Sequence, residues 1–200
     1  MPLCNHLVIM AKEARIGRVK TRLARDIGPV AAWTFYRRTL QAISRSLSKD
    51  KRWTTWLAVS PDAAVHNDRL WPANIPRISQ GGGDLGQRMG RIMEVMEPGP
   101  VVLVGADIPD INAAHIAEAF RTLGNHDAVF GPADDGGYWL IGLKRRPKLS
   151  RIFNPVRWST GHALADTREN FPEHAKIAFL ETLNDIDDGE DLIGHYHRGK

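Results

Sequence analysis

An aspartate that closely follows a strongly apolar run is a candidate metal ligand. Residues 101–104 are all aliphatic, and Asp107 comes three residues later. In open α/β sheets, ligands bind beyond the carboxyl ends of the strands, and Mg²⁺ takes one or two carboxylates together with substrate phosphates. An aspartate in such a place is equally common as a helix N-cap or turn residue, so Asp107 alone leaves both interpretations open.

A second acidic string, Gly-Pro-Ala-Asp-Asp-Gly-Gly-Tyr, occupies residues 131–138. Two adjacent acids followed by two glycines form a bend where the backbone can approach a ligand closely. Asp-Gly is also the favoured dipeptide of β-hairpin turns, so for Asp135 and Gly136 alone a hairpin is the simpler interpretation. The whole string is more unusual than a turn requires, which favours contact with a substrate.

A basic segment follows the first apolar run of the chain. Lysine and arginine in such a place can clamp a diphosphate or triphosphate, since Arg offers a bidentate fork and Lys a point charge. The alternative is a solvated basic loop. The segment has no G-x-x-x-x-G-K-[ST] string and is therefore not a Walker loop. Its cations are Lys12, Arg15, Arg18, Lys20 and Arg22, with Gly17 between them.

The glycine-rich string at residues 81–86 matches the dinucleotide fingerprint G-x-G-x-x-G. Asp107 lies about 20 residues beyond it, where that motif expects an acid that binds ribose. The strand signal before the string is weak, and the string is not in the first βα unit. A nicotinamide dinucleotide site is therefore a competing hypothesis rather than the favoured one.

The acidic string at residues 184–192 has two interpretations. Acids favour helix N-termini, so a solvated helix start is the simpler one from spacing alone. The other is that the string supplies a second metal ligand to the site of Asp107.

Predicted strands and helices, which must position these residues, alternate along the chain. This alternation predicts a largely parallel α/β sheet in one domain over residues 1–200. We expect residues 12–25 to form a long loop and Ser159 or Thr160 to cap the helix that runs toward residue 170. The predicted strands are 6–11, 53–59, 76–79, 100–105, 128–130, 138–143 and 176–180. The other predicted helices are 30–47, 85–96, 112–123 and a short one after residue 191.

Composition and charge limit the classes of partner. The net charge of +4 fits an anionic partner, and the single cysteine, Cys4, fits a reducing compartment. No apolar run approaches the ~18 residues of a membrane span, and no signal-peptide pattern is present, so we expect a cytoplasmic protein. The best basic cluster, residues 144–148, lacks interleaved aromatics and a recognisable module, so we do not expect nucleic acid as the partner.

Taken together, these strings resemble the bacterial DUF2064 family, whose members are assigned as glycosyltransferases. That family belongs to the nucleotide-diphospho-sugar transferases, alongside molybdenum-cofactor guanylyltransferase-like enzymes and phospholactate guanylyltransferase. The Gly-Pro-Ala-x-Asp-Gly-Gly-Tyr string is its most specific part. The resemblance covers nearly the whole chain, through residues 20–23, 80–89, 105–109, 131–138, 158–160 and 185–192 in that order.

The resemblance implies a single-domain glycosyltransferase-A-type fold, with a mostly parallel mixed sheet flanked by helices. It implies Mg²⁺ or Mn²⁺ on Asp107 and Asp187, with Asp135 as third ligand or as base. Lys20 and Arg22 would neutralise phosphate charge. The residues expected to bind substrate are Lys12, Gly17, Gln80, Gly81, Asp84, Arg88, Gly136, Gly137 and Tyr138.

Two reactions share this apparatus: glycosyl transfer from a nucleotide-sugar to a small acceptor, and nucleotidyl transfer from a triphosphate to a phosphorylated small molecule with release of pyrophosphate. The family favours the first, and the basic segment favours the second. A non-catalytic nucleotide-binding regulator is a further alternative, which the retained acids disfavour. The sequence leaves the oligomeric state open.

Overall fold

The fold is taken from a computed structural model that describes residues 3–144 and 151–198. Seven strands form one sheet in the order β3-β2-β1-β4-β6-β5-β7. Only β6 runs against its neighbours; the other described strands share one direction. The strands are β1 (His6–Lys12), β2 (Thr54–Ser60), β3 (Arg77–Ser79), β4 (Val101–Gly105), β5 (Ala128–Pro132), β6 (Tyr138–Leu143) and β7 (Ile177–Phe179).

Helices flank the sheet, which confirms the predicted α/β fold with a mostly parallel mixed sheet. No helix in the described part of the chain is both long and apolar enough to cross a membrane. The helices are α1 (Leu23–Ile27), α2 (Pro29–Leu47), α3 (Leu85–Val95), α4 (Ala113–Leu123), α5 (Ala163–Glu169) and α6 (Gly189–Arg198), with one 3-10 turn at Asp62–Ala64.

Both faces of the sheet are covered because strand side chains alternate between two apolar clusters. On β1, Leu7 and Ile9 face a cluster that contains Leu40 of α2. Val8, between them, faces a second cluster that contains Ile92 of α3. Strands buried on both faces need continuous apolar runs, which is why these strands could be predicted from the sequence.

Two sequence-based expectations about elements are wrong. The segment 12–25 is not all loop: α1 begins at Leu23, whose side chain is fully buried against Ala32 of α2. Neither Ser159 nor Thr160 caps a helix, because α5 begins at Ala163 and its N-cap residue makes no side-chain capping bond.

Candidate functional site

A cleft of about 530 Å³ opens where the strand order reverses. β1 has β2 on one side and β4 on the other, and in doubly wound sheets such a switch point leaves a crevice at the carboxyl ends of the strands. Lys12 at the end of β1 and Gly105 at the end of β4 line the cleft, and so does Asp107, two residues beyond Gly105.

The Lys20 side chain lines this cleft and lies among three carboxylates. Its Nζ is 2.7 Å from Asp107 Oδ2, 2.7 Å from Asp187 Oδ1 and 3.3 Å from Asp185 Oδ2. Only 6% of the side chain is exposed. Lys20 also has a φ of 46°, in the left-handed region, where a non-glycine residue costs about 1–3 kcal/mol. The ion pairs hold it there.

The three carboxylates that surround Lys20 are close enough to share one cation. Asp107, Asp185 and Asp187 each offer an oxygen, and these oxygens lie within 4.8 Å of one another. Hard carboxylate oxygens are the ligands that Mg²⁺ and Mn²⁺ prefer. The donor set therefore fits the expected metal, provided that Lys20 Nζ moves away when an ion enters.

The charges of this group are mutually dependent. Burial raises the pKa of Asp185 to about 6, and the neighbouring Asp107 and Asp187 carboxylates add to the rise, whereas Lys20 opposes it. Burial disfavours the charged form of Lys20, but the attraction of Asp107 and Asp185 outweighs it and raises the lysine pKa. Burial likewise opposes the charged form of Asp187, yet the hydrogen bond from Lys20 lowers its pKa overall.

The acidic string brings Asp185 and Asp187 beside Lys20 because the residue between them is anchored. Ile186 is 1% exposed and packs with Leu23 of α1. The turn between β5 and β6 fixes the start of the string: Asn184 Nδ2 donates to Asp134 Oδ2 at 2.6 Å, and Asp134 N donates to Asn184 Oδ1 at 2.9 Å. This string is thus part of the site rather than only a solvated helix start.

The structure does not place Asp135 in the carboxylate group; Asp185 has the third place. The signal that could have found Asp185 is the alternation Asp-Ile-Asp at 185–187, since alternate residues of an extended segment share one side. Asp135 instead lines a second cavity, where its Oδ1 accepts a hydrogen bond from Gly137 N at 2.8 Å. The predicted role of Asp135 as a third ligand has no support in this geometry.

The basic segment brings most of its cations to the cleft. Lys12, Arg18, Lys20 and Arg22 line it, and Arg22 Nη1 is 3.2 Å from Asp187 Oδ2 although the Arg22 side chain is 72% exposed. Arg15 is turned to solvent and pairs with Glu13. Gly17 has a φ of 74° with open space around it and is exposed at the turn of the segment.

Of the substrate contacts expected at Gln80, Gly81, Asp84 and Arg88, only Gln80 lines the cleft. Gln80 is buried, and its Nε2 donates to Ala11 O at 3.1 Å and to Ala58 O at 2.8 Å, so its amide joins β1 to β2. The other expected substrate contacts near it have local roles. Gly81 N donates to Asp62 Oδ1, Asp84 caps α3 through Gln87, and Arg88 Nε donates to Gly83 O.

The string at 131–138 is a hairpin, as Asp-Gly suggested, and it also forms part of a cavity. β5 and β6 pair antiparallel across it, and Gly136 has a φ of 80°. A Cβ on Gly136 would lie 2.2 Å from Gly161 O, so only glycine fits that position. Gly137 and Tyr138 line the second cavity, which has a volume of about 230 Å³.

The two cavities are adjacent and share a wall. Both are lined by Leu85, Gly105, Asp107, Tyr138 and Trp139. Sequence reasoning did not select the aromatic lining residues Trp139 and Trp158 as site residues; Trp139 lies in β6, where an aromatic side chain usually indicates core. Of the basic cluster at 144–148, all but Lys144 lies outside the described residues.

The fold and site together define a class, the nucleotide-diphospho-sugar transferases. A solved structure from Desulfovibrio desulfuricans G20, assigned to that class, matches with a TM-score of 0.89 and 29% sequence identity, covering 98% of this chain and 87% of that one. The chain itself belongs to the family described as uncharacterized protein conserved in bacteria (DUF2064), whose sequence profile matches residues 42–160. None of the curated proteins matches the chain.

More distant solved structures share the fold. The 4-diphosphocytidyl-2C-methyl-D-erythritol synthase of Anaerococcus prevotii DSM 20548 has a TM-score of 0.63 at 13% identity, covering 98% of this chain and 99% of that one. Glucosyl-3-phosphoglycerate synthase of Mycobacterium tuberculosis, solved with Mn²⁺, UDP and glucosyl-3-phosphoglycerate, has a TM-score of 0.58 at 11% identity, covering 98% and 76%. At a general level, these comparisons support a transferase.

Proposed function

We propose that the protein is a divalent-metal-dependent transferase that moves a glycosyl group from a nucleotide-sugar donor to a small-molecule acceptor. The observation that carries this proposal is that Asp107 belongs both to the three-carboxylate group and to the wall shared by two cavities. A transfer reaction needs two bound substrates whose reacting atoms meet, and adjacent cavities on either side of a metal group supply that proximity.

Asp107, Asp185 and Asp187 would hold Mg²⁺ or Mn²⁺, with Asp185 in the place first expected of Asp135. When bound, the ion supplies positive charge to the phosphate oxygens of the donor. The relative solved with Mn²⁺ and UDP has the same fold, which supports a metal and a uridine-type diphosphate as the first probes.

The chain's own residues would bind the donor phosphates along the larger cavity. Lys12, Arg18 and Arg22 line that wall, and Lys20 Nζ would leave the carboxylates for a phosphate oxygen when the metal enters. Such charge-assisted hydrogen bonds stabilise the negative charge that develops on the leaving diphosphate. Asp135, in the smaller cavity, would accept a hydrogen bond from the acceptor hydroxyl that attacks.

Nucleotidyl transfer is a second candidate, and the row of cations favours it, because a triphosphate and a pyrophosphate leaving group carry more negative charge than a nucleotide-sugar. The products separate the two reactions. Glycosyl transfer breaks the bond between the sugar C1 and the diphosphate oxygen and releases a nucleoside diphosphate. Nucleotidyl transfer breaks the bond between the α-phosphorus and the bridging oxygen and releases pyrophosphate.

The direct test is a thermal-shift panel of nucleotide-sugars and nucleoside triphosphates, with and without Mn²⁺, followed by product analysis with the best ligand. A ligand at about 100 times its dissociation constant adds about 2.7 kcal/mol of stability. We expect metal-dependent stabilisation by a nucleotide-sugar and release of its diphosphate. Pyrophosphate release would favour the second candidate, and binding without turnover on any acceptor would favour a regulator.

Arg22→Ala is expected to weaken binding of a nucleoside diphosphate roughly tenfold, because a charge-assisted hydrogen bond contributes about 1.5–3 kcal/mol and the exposure of Arg22 reduces that to the lower end. A nucleoside monophosphate should lose less, because the charge acts on the outer phosphate. Arg15→Ala is the matched control, since Arg15 pairs with Glu13 away from the cleft. Titration calorimetry decides: equal losses for both variants mean that the segment is only a solvated face.

NADH is expected not to bind, although residues 81–86 match G-x-G-x-x-G. Here the string follows the edge strand β3, and its last glycine serves packing: a Cβ on Gly86 would lie 2.7 Å from Trp158 Cζ2. Energy transfer from the six tryptophans to micromolar NADH is the measurement. A saturable signal would overturn the transferase proposal in favour of dinucleotide binding.

A further inference from the structure

The second cavity differs in character from the cleft beside it. Its volume is about 230 Å³, against about 530 Å³ for the cleft, so it fits a smaller molecule than a nucleotide-sugar. Much of its wall is apolar and comes from Leu85, Ile108, Tyr138, Trp139 and Trp158.

The aromatic wall is held in a fixed orientation. The rings of Tyr138 and Trp158 meet edge to face, with centroids 6.4 Å apart and an interplanar angle of 72°. Gly86 of α3 lies directly against Trp158, where any Cβ would come within 2.7 Å of the indole. Tyr138 OH lies 3.4 Å from Thr167 Oγ1 of α5. Rigid aromatic rings of this kind offer flat apolar contact area with little loss of side-chain entropy.

The charged groups of the cavity are of one sign. Among the described residues that line it, Asp107, Asp135 and Asp185 are acidic and none is Lys, Arg or His. The cations of the site, such as Lys12 and Arg18, line the larger cleft instead. A cavity of this kind repels phosphate and carboxylate groups, whereas its oxygens accept hydrogen bonds from hydroxyls.

Asp135 is the carboxylate of this cavity that stays negatively charged when a metal is bound to the others. A divalent ion on Asp107 and Asp185 neutralises most of their charge, but Asp135 lies outside that group. Its Oδ1 accepts from Gly137 N at 2.8 Å, which fixes the carboxylate in the hairpin turn and leaves Oδ2 for a ligand. Asp135 is therefore the charge that an acceptor meets in the loaded site.

We infer that the acceptor is a small, uncharged molecule with several hydroxyl groups, such as a sugar or polyol, and that Asp135 excludes phosphorylated and carboxylated molecules. The inference rests on the proposed function and deepens it. The aromatic wall binds the apolar face of the acceptor, and Asp135 accepts hydrogen bonds from its hydroxyls. This cavity accordingly disfavours the transfer of a nucleotide to a phosphorylated molecule.

The test compares neutral and anionic forms of the same ring. Monosaccharides and polyols, each beside its phosphate ester and its carboxylate derivative, are titrated into the wild-type protein with Mn²⁺ and a nucleoside diphosphate, with titration calorimetry as the readout. We expect at least one neutral member to bind at least tenfold more tightly than both of its anionic forms. Tighter binding of the anionic forms, or no binding by any member, overturns the inference.

The variant Asp135→Asn tests whether this one residue excludes anionic acceptors, because asparagine keeps an Oδ1 for Gly137 N and removes the charge. The preference for the neutral form should fall at least tenfold in this variant. Asp110→Asn is the matched control, since it makes the same change at an aspartate that lines neither cavity. An unchanged preference in Asp135→Asn, or an equal fall in both variants, contradicts the assignment.

Donor binding measured on the same samples keeps this inference separate from the proposed function. If the wild-type protein binds no nucleotide-sugar or nucleoside diphosphate with Mn²⁺, the proposed function fails. If it binds them and prefers an anionic acceptor, only the acceptor class is wrong.

Discussion

Asp107→Asn is expected to abolish Mn²⁺ binding in the presence of a nucleotide, while the protein stays folded. The substitution removes one of three carboxylates that lie within 4.8 Å of one another, and it also releases Lys20, whose Nζ is 2.7 Å from the lost oxygen. A metal site that loses a charged ligand loses several kcal/mol, so the metal affinity should fall ~100-fold or more. Calorimetry with Mn²⁺ and a thermal melt measure the two outcomes.

Asp110→Asn is the control for that experiment. Asp110 follows Asp107 by three residues but is paired with His195, 3.3 Å away, and does not line either cavity. Its loss should leave the metal affinity unchanged. If Asp107→Asn also keeps the wild-type affinity, the carboxylate group is not a metal site and the proposed function loses its basis.

Lys20→Met is expected to move two affinities in opposite directions. Without nucleotide, Mn²⁺ should bind more tightly, because the ammonium that neutralises Asp107 and Asp187 at 2.7 Å is gone. A nucleoside diphosphate with metal should bind roughly ten- to hundredfold more weakly, because one charge-assisted contact of about 1.5–3 kcal/mol is lost.

The metal-free Lys20→Met protein should also be less stable, since the three carboxylates then face one another with only the exposed Arg22 beside Asp187. We expect a loss of about 1–3 kcal/mol, below the ~3–5 kcal/mol of a fully buried pair, because the carboxylates are partly exposed. Added Mn²⁺ should restore the melting temperature. Lys144→Met, which removes a hydrogen bond to Gly124 O at a residue that lines neither cavity, should show none of these changes. A lower or unchanged Mn²⁺ affinity in Lys20→Met means that the lysine does not compete with the ion.

The parts of the fold that could be predicted are those with strong local patterns. The aliphatic run 101–104 predicted β4, and the rule that ligands bind beyond strand ends then predicted Asp107 as a site residue. The structure has both the strand and Asp107 in the cleft. The Asp-Gly dipeptide gave the hairpin between β5 and β6. Each of these needs information from only a few neighbouring residues.

The parts that were missed depend on contacts between distant segments. Asp185 reaches Lys20 because Asn184 binds the turn residue Asp134 and Ile186 packs on Leu23, contacts that no local pattern encodes. The same reason explains α1, which is too short to show a periodicity and forms because Leu23 is buried by α2 and the acidic string. Asp84 was expected to bind substrate, whereas the structure places it in a capping box with Gln87 at the start of α3.

The order of elements along the chain determines when the group of three carboxylates is completed during synthesis. The last strand ends at Phe179, whereas two of the three clustered carboxylates, Asp185 and Asp187, come later. During synthesis, every strand has therefore emerged before the charged group is complete. A protease cut after residue 183 would leave the described strands intact and remove Asp185 and Asp187, two of the three carboxylates of the proposed metal site.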